Sequence, residues 1–85
     1  MSYEVVFVAR AIKDLRPIPR NHQGRIIEKA ESLGVDPYPA GSLKLKGMKE
    51  ELWRVRVGDY RILYAVDDSI KIVEIRRVGH RKDIY

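Results

Sequence analysis

No cysteine occurs in the 85 residues of this chain. Disulfide frameworks, thiolate zinc sites and thiol catalysis are therefore excluded together, and the composition suits a reducing compartment. Long apolar runs are missing as well. No unbroken stretch exceeds five residues, as in Val5–Ala9, whereas a membrane span needs about twenty and a signal-peptide core about seven. The expectation is a cytoplasmic protein that does not engage a membrane. No histidine–carboxylate cluster stands at metal-ligand spacing. Internal repeats and low-complexity tracts are also absent. The remaining composition, 45% hydrophobic and 34% charged, carries enough apolar content to argue against disorder. At this length one domain over residues 1–85 is expected, with a small core.

Positive charge is in excess and unevenly spread. Seventeen Lys and Arg against twelve Asp and Glu give a formal charge of +5. Six bases and five acids fall in residues 1–42, and eleven and seven in residues 43–85. A basic second half points to a polyanionic partner, either nucleic acid or an acidic protein.

Tyr3 to Val8 is β-branched and aromatic and predicts a first strand. Ala9, Ile12 and Leu15 recur at helical spacing, and Pro17 and Pro19 end that helix because neither donates a backbone hydrogen bond. Pro19 suits the start of a second helix, in which Ile26, Ile27, Ala30 and Leu33 form one stripe and Gly34 is the stop. Asp36 to Ser42 predicts a connecting loop, and the basic LKLKG segment from Leu43 to Gly47 takes no assignment. Three strands follow, at about Leu52–Val57, Tyr60–Val66 and Ile70–Val78. The fold class is α+β: an N-terminal strand, a two-helix hairpin, then a three-stranded antiparallel meander completing a four-stranded sheet packed on the helices.

Gly58-Asp59 between two alternating runs predicts a two-residue hairpin of type II′. That turn pairs Val57 with Tyr60 and fixes the register behind it. Trp53, Val55, Val57, Tyr60, Ile62, Tyr64 and Val66 then share one apolar face, against the helices. Arg54, Arg56 and Arg61 share the other. Like charges directly opposite each other on a sheet are destabilising, and a bound anion such as a phosphodiester relieves the repulsion. The plainer alternative is a solvated face on which Glu74 partners Arg61, the register that follows if Asp67-Asp68 is also a two-residue turn. Gly79 is expected to break the last strand, leaving His80, Arg81, Lys82 and Tyr85 beside its end. Histidine moves protons near neutrality, arginine holds phosphate with a fork of donors, and tyrosine stacks on a splayed base. A frayed basic tail is the alternative there, and His22 is expected at the surface.

The stretch LKLKGMKEELWRVRVGDYRILYAVDD, followed by IVEIRRVGHRKDIY, resembles the RelE group of the RelE/ParE superfamily of type II toxin–antitoxin toxins. Its most specific pieces are the basic strand before G-D-Y-R and the closing G-H-R-x-x-x-Y. The resemblance implies a ribosome-dependent mRNA endonuclease, neutralised by a cognate antitoxin, that cuts without metal by attack of the RNA 2′-hydroxyl. It also implies operator-DNA binding through the antitoxin complex. By position, Arg61 matches the arginine that steadies the charged phosphorane. Arg81 matches the one at the leaving 5′-oxygen, and Tyr85 the tyrosine that orients the base. Arg54 and Arg56 stand where a well-known member has lysines, one a proposed general base. A guanidinium is a poor base, so His80 becomes the candidate for proton transfer, with Lys46 and Lys82 behind it. Lys44, Lys46, Lys49 and Lys82 are the candidate contacts to ribosomal RNA. A ParE-like inhibitor of DNA gyrase and a non-catalytic RNA- or antitoxin-binding protein are the competing functions.

Overall fold

The computed structural model describes residues 2–83, so Tyr85 lies outside the described residues. β1 (Glu4–Phe7) leads directly into α1 (Ala9–Leu15), with Val8 extended at φ −70° and ψ 160° as the N-cap. The prolines end α1 as expected. Gln23, one turn into the next helix, donates its side-chain amide to the Leu15 carbonyl at 2.7 Å and satisfies one of the acceptors left open there. α2 (Arg20–Ser32) starts immediately after Pro19. Gly34 follows it for a steric reason: a Cβ there would stand 2.8 Å from the Tyr3 carbonyl oxygen, where the N-terminal segment crosses the helix end.

Four further strands complete the sheet: β2 (Leu43–Lys44), β3 (Trp53–Val57), β4 (Tyr60–Asp67) and β5 (Ile72–His80). Their order is β1-β5-β4-β3-β2, with β1 parallel to β5 and the other neighbours antiparallel. The expected α+β architecture is present, with one more strand than the sequence reading assigned. That strand is the start of the unassigned basic segment, where Leu43 pairs with Arg54 and Lys44 with Trp53.

The hairpin register is the expected one. Val57 pairs with Tyr60, Val55 with Ile62, and Arg56 with Arg61. Gly58 has φ +60° and Asp59 does not have positive φ, as a type II′ turn requires. Val55, Ile62 and Tyr64 pack with Val73, Ile75 and Val78 of β5 against Ala11, Ile18, Ile26, Ala30 and Leu33, and Trp53, Val57, Tyr60 and Val66 fill the margins. Each fully buried Ile or Leu in this layer contributes about 1.5–3 kcal/mol.

The last strand departs from expectation in two respects. Asp67 Oδ1 accepts hydrogen bonds from the Ser69 amide, the Ser69 hydroxyl and the Ile70 amide, at 3.0, 2.6 and 3.2 Å. This side-chain-built turn, with Lys71 at φ +58°, replaces a two-residue Asp67-Asp68 turn and delays β5 to Ile72. A register shift between Leu63 and Tyr64 then offsets the pairing again. Glu74 therefore lies opposite Ala65, not Arg61, and Gly79 takes the place opposite Arg61 within a strand that continues to His80. The shift leaves Arg76 and Arg77 as consecutive residues between inward-facing Ile75 and Val78, and they diverge. Arg76 pairs with Glu50 and Glu74, while Arg77 reaches Asp14 on α1.

Asp68 closes the opposite end of the sheet. It accepts hydrogen bonds from the Tyr3 and Tyr38 hydroxyls at 2.6 and 2.9 Å. Burial, then the Asp68 hydrogen bond, push Tyr38 up to about 12. Tyr64, buried with its hydroxyl donating to the Pro37 carbonyl, is likewise pushed up to about 12, mainly by burial.

Candidate nucleic-acid interface

Three arginines stand together on the sheet face away from the helices. Arg56 and Arg61 are direct partners across the hairpin, and Arg54 is the next outward residue along β3. Their environments differ. Arg56 is exposed and Arg61 half-buried, whereas Arg54 is only 7% exposed. Arg54 pairs with Leu43 on one side and Leu63 on the other. Its Nε is buried without a hydrogen-bond partner, and no carboxylate pairs with it among the described residues. Leaving a buried donor unpaired costs about 1–3 kcal/mol, so Arg54 is held here at some expense to stability. Gly79, opposite Arg61, places no side chain beside it.

Four acids among the described residues are engaged in ion pairs away from Arg54 and Arg56. Glu50 and Glu74 hold Arg76, Glu51 holds Lys44 at 2.7 Å, and Asp14 holds Arg10 and Arg77. Of the four candidate RNA-contacting lysines, Lys44 thus carries an acidic partner, while Lys46, Lys49 and Lys82 are exposed.

The tail returns to the hairpin. The Arg81 amide donates to the Asp59 carbonyl at 2.9 Å, which docks the segment across the Gly58-Asp59 turn and brings Arg81 to the end of the arginine face. His80 is placed differently. It pairs with Tyr60, a residue of the helix-side face, and its ring stands edge-on to the Tyr60 ring with centroids 5.7 Å apart. Its Nδ1 accepts the Lys82 amide at 3.3 Å. The structure therefore brings Arg54, Arg56 and Arg61 onto one face, adds Arg81 at its end, and sets the His80 imidazole on the opposite side of the sheet. His22 is half-buried instead of fully at the surface, its ring centroid 5.2 Å from that of Tyr60. Its spacing of four from Ile26 on the buried stripe was the available signal.

Two cations went unnoticed in the sequence. Arg25 and Lys29, four apart on α2, border clefts at the edge of β3 whose other walls include Arg54 and Arg56.

The chain is similar to known proteins over nearly its whole length. Residues 5–85 match the family model described as the ParE toxin of type II toxin–antitoxin systems. Toxin RelG of Mycobacterium tuberculosis is 37% identical over 100% of this chain and 98% of its own length. The archaeal RelE–RelB complex from Pyrococcus horikoshii contains a chain 31% identical, with TM-score 0.82, covering 99% of this chain and all of that one. The toxin–antitoxin complex RelBE2 of Mycobacterium tuberculosis contains one 32% identical, with TM-score 0.85, covering 95% and 100%.

Proposed function

Because the chain belongs to the RelE group of the RelE/ParE superfamily, and is thus a toxin of type II toxin–antitoxin type, we propose that it is a ribosome-dependent mRNA endonuclease whose arginine face holds the RNA strand. The observation that carries this reading is the placement of Arg54, Arg56 and Arg61 on one surface, with Arg54 buried and its Nε unpartnered among the described residues. A phosphodiester brings negative charge to that surface, and guanidinium forks match its oxygens.

In the proposed reaction the 2′-oxygen attacks the adjacent phosphorus, the P–O5′ bond breaks, and a 2′,3′-cyclic phosphate and a 5′-hydroxyl result. The 2′-hydroxyl loses a proton and the leaving 5′-oxygen gains one. Negative charge grows on the phosphorane oxygens, where Arg61 is assigned to stabilise it. Arg54, poorly solvated between two leucines, acts with little screening. Arginine stays protonated, so Arg54 and Arg56 contribute charge and alignment instead of base catalysis. In-line geometry is rare in helical RNA, and gripping successive phosphates enforces it. Arg81 is assigned to the leaving oxygen and Tyr85 to base stacking. Lys44, Lys46, Lys49 and Lys82 are assigned to ribosomal RNA backbone.

A cognate antitoxin is the expected partner, by the likeness to RelE–RelB complexes. It covers the cationic face with acidic side chains, and operator DNA is met through that complex. The test is to map mRNA ends in a purified translation system and gyrase-dependent DNA breaks in parallel. Codon-position cuts are expected, with Arg61→Ala lowering the cleavage rate by about 10²-fold, the scale of losing one oxyanion-type donor. DNA breaks without RNA cuts would move the chain to the gyrase-inhibitor class, and neither would leave it a binder.

A further inference from the structure

We infer, on the reading that RNA is the ligand of the arginine face, a second phosphate-binding site at the open edge of β3, where Lys29 and Arg25 of α2 join Arg54 and Arg56. β2 is two residues long and covers β3 only at Trp53 and Arg54. Beyond that point α2 flanks the edge, and two adjoining clefts open between helix and strand. The inner one, about 390 Å³, has Lys29, Arg54 and Arg56 on its walls with Ala40, Gly41 and Leu43, and no carboxylate. That volume is within the range of small-ligand sites. The outer cleft shares Lys29 and Arg56, adds Arg25, and is bordered by Glu28.

Three observations point to an anion there. Arg54 is nine-tenths buried, with Nε unpartnered among the described residues. Lys29 and Arg25 make no ion pair among the described residues either. Arg25 and Lys29 are also like charges at i and i+4, an arrangement that destabilises a helix. The helix dipole accounts for a lysine in the last turn of α2, but not for Arg25 or for the buried Arg54. A sugar–phosphate backbone leaving the sheet face around this edge satisfies all four cations. Glu28 borders only the outer cleft, so one phosphate seats in the inner cleft with Lys29, Arg54 and Arg56, and the adjoining backbone meets Arg25 in the outer one. The ligand is thus a phosphodiester of a single RNA strand, one or more nucleotides removed from the scissile bond.

The experiment uses the full chain and a labelled 2′-O-methyl RNA oligonucleotide, which lacks the nucleophile and is not consumed, with binding followed by anisotropy across a salt series. The double variant Arg25→Gln/Lys29→Gln is expected to bind roughly tenfold more weakly at low salt. Its log–log salt slope should be shallower by about 1.4, two contacts at about 0.7 each on a single strand. Lys71→Gln, in the β4–β5 turn, is the control and keeps the wild-type slope. Circular dichroism verifies that each variant is folded. An unchanged slope in the double variant, an equal loss in Lys71→Gln, or no binding by the wild-type chain each overturns the second site. The endonuclease reading is judged separately, by mRNA cuts in the translation system and their loss in Arg61→Ala.

Discussion

Arg54 shows the conflict between stability and binding at the scale of one residue. Leu43 and Leu63 flank it across the sheet, so an apolar side chain of similar reach fits the site better than a charge does. Arg54→Leu is expected to stabilise the fold by about 1–3 kcal/mol, raising Tm by about 4–8 °C per kcal/mol in a domain of this size, while cleavage of mRNA falls. Thermal denaturation alongside the cleavage assay checks both, and a drop in Tm would show that the guanidinium is compensated in the fold. His80 poses a different question. Its ring packs on Tyr60 and its Nδ1 holds the Lys82 amide, a geometry suited to positioning the Arg81 segment. His80→Ala is expected to slow cleavage about tenfold with the shape of the pH–rate profile retained, and His80→Asn, which restores an acceptor for that amide, to recover most of the rate. Loss of one limb of the profile in His80→Ala would return proton transfer to the imidazole.

Among the elements, α1 is only seven residues long and depends on tertiary contacts. Asp14, largely buried, receives the Arg77 Nε at 2.9 Å and the Val78 amide at 3.0 Å, and so fastens α1 to β5. Burial opposes its charge, but the hydrogen bonds from Arg77 and Val78 prevail and hold its carboxyl below the usual 3.8. A lowered carboxyl pKa contributes stability that is complete above 3.8 and lost as pH falls through the lower, folded value. Asp14→Ala should cost about 2 kcal/mol near neutrality and flatten the acid limb of the stability–pH curve, as urea unfolding from neutral to acid pH would show. The elements also differ in how far the sequence disclosed them. The β3–β4 hairpin was readable because its register follows from a glycine whose φ is positive and from strict alternation on either side. β5 was not, because its start depends on what the Asp67 side chain binds and its phase on an inserted residue, neither of which alters the hydrophobic pattern. β2 escaped because two residues at an edge carry no period. The arginine face was readable from the hairpin alone, whereas its extension to Arg25 and Lys29 depends on where α2 lies, a tertiary fact.

Over the whole molecule, charge is segregated. Acids pair with Arg10, Lys44, Arg76 and Arg77, while Arg25, Lys29 and Arg54 make no ion pair among the described residues. Phosphate or a short polyanion should therefore raise Tm at low ionic strength, and Lys71→Gln, remote from that surface, should keep the effect. At high pH the limit on stability lies in the tyrosines. Tyr38 and Tyr64 favour their protonated forms in the fold, so the stability they contribute is complete below 10.0 and lost as pH rises toward about 12. Spectrophotometric titration should find two phenols that ionise only as the chain unfolds. The parallel pairing of β1 with β5, Glu4 opposite Ile72 through Phe7 opposite Ile75, governs something further. During its own synthesis the chain's first strand has no neighbour to bind until residues 72–75 emerge, and such distant pairings form late. The edge of the sheet that β1 forms is therefore closed only once β5 has been made, and a chain cut short before residue 72 leaves β1 unpaired.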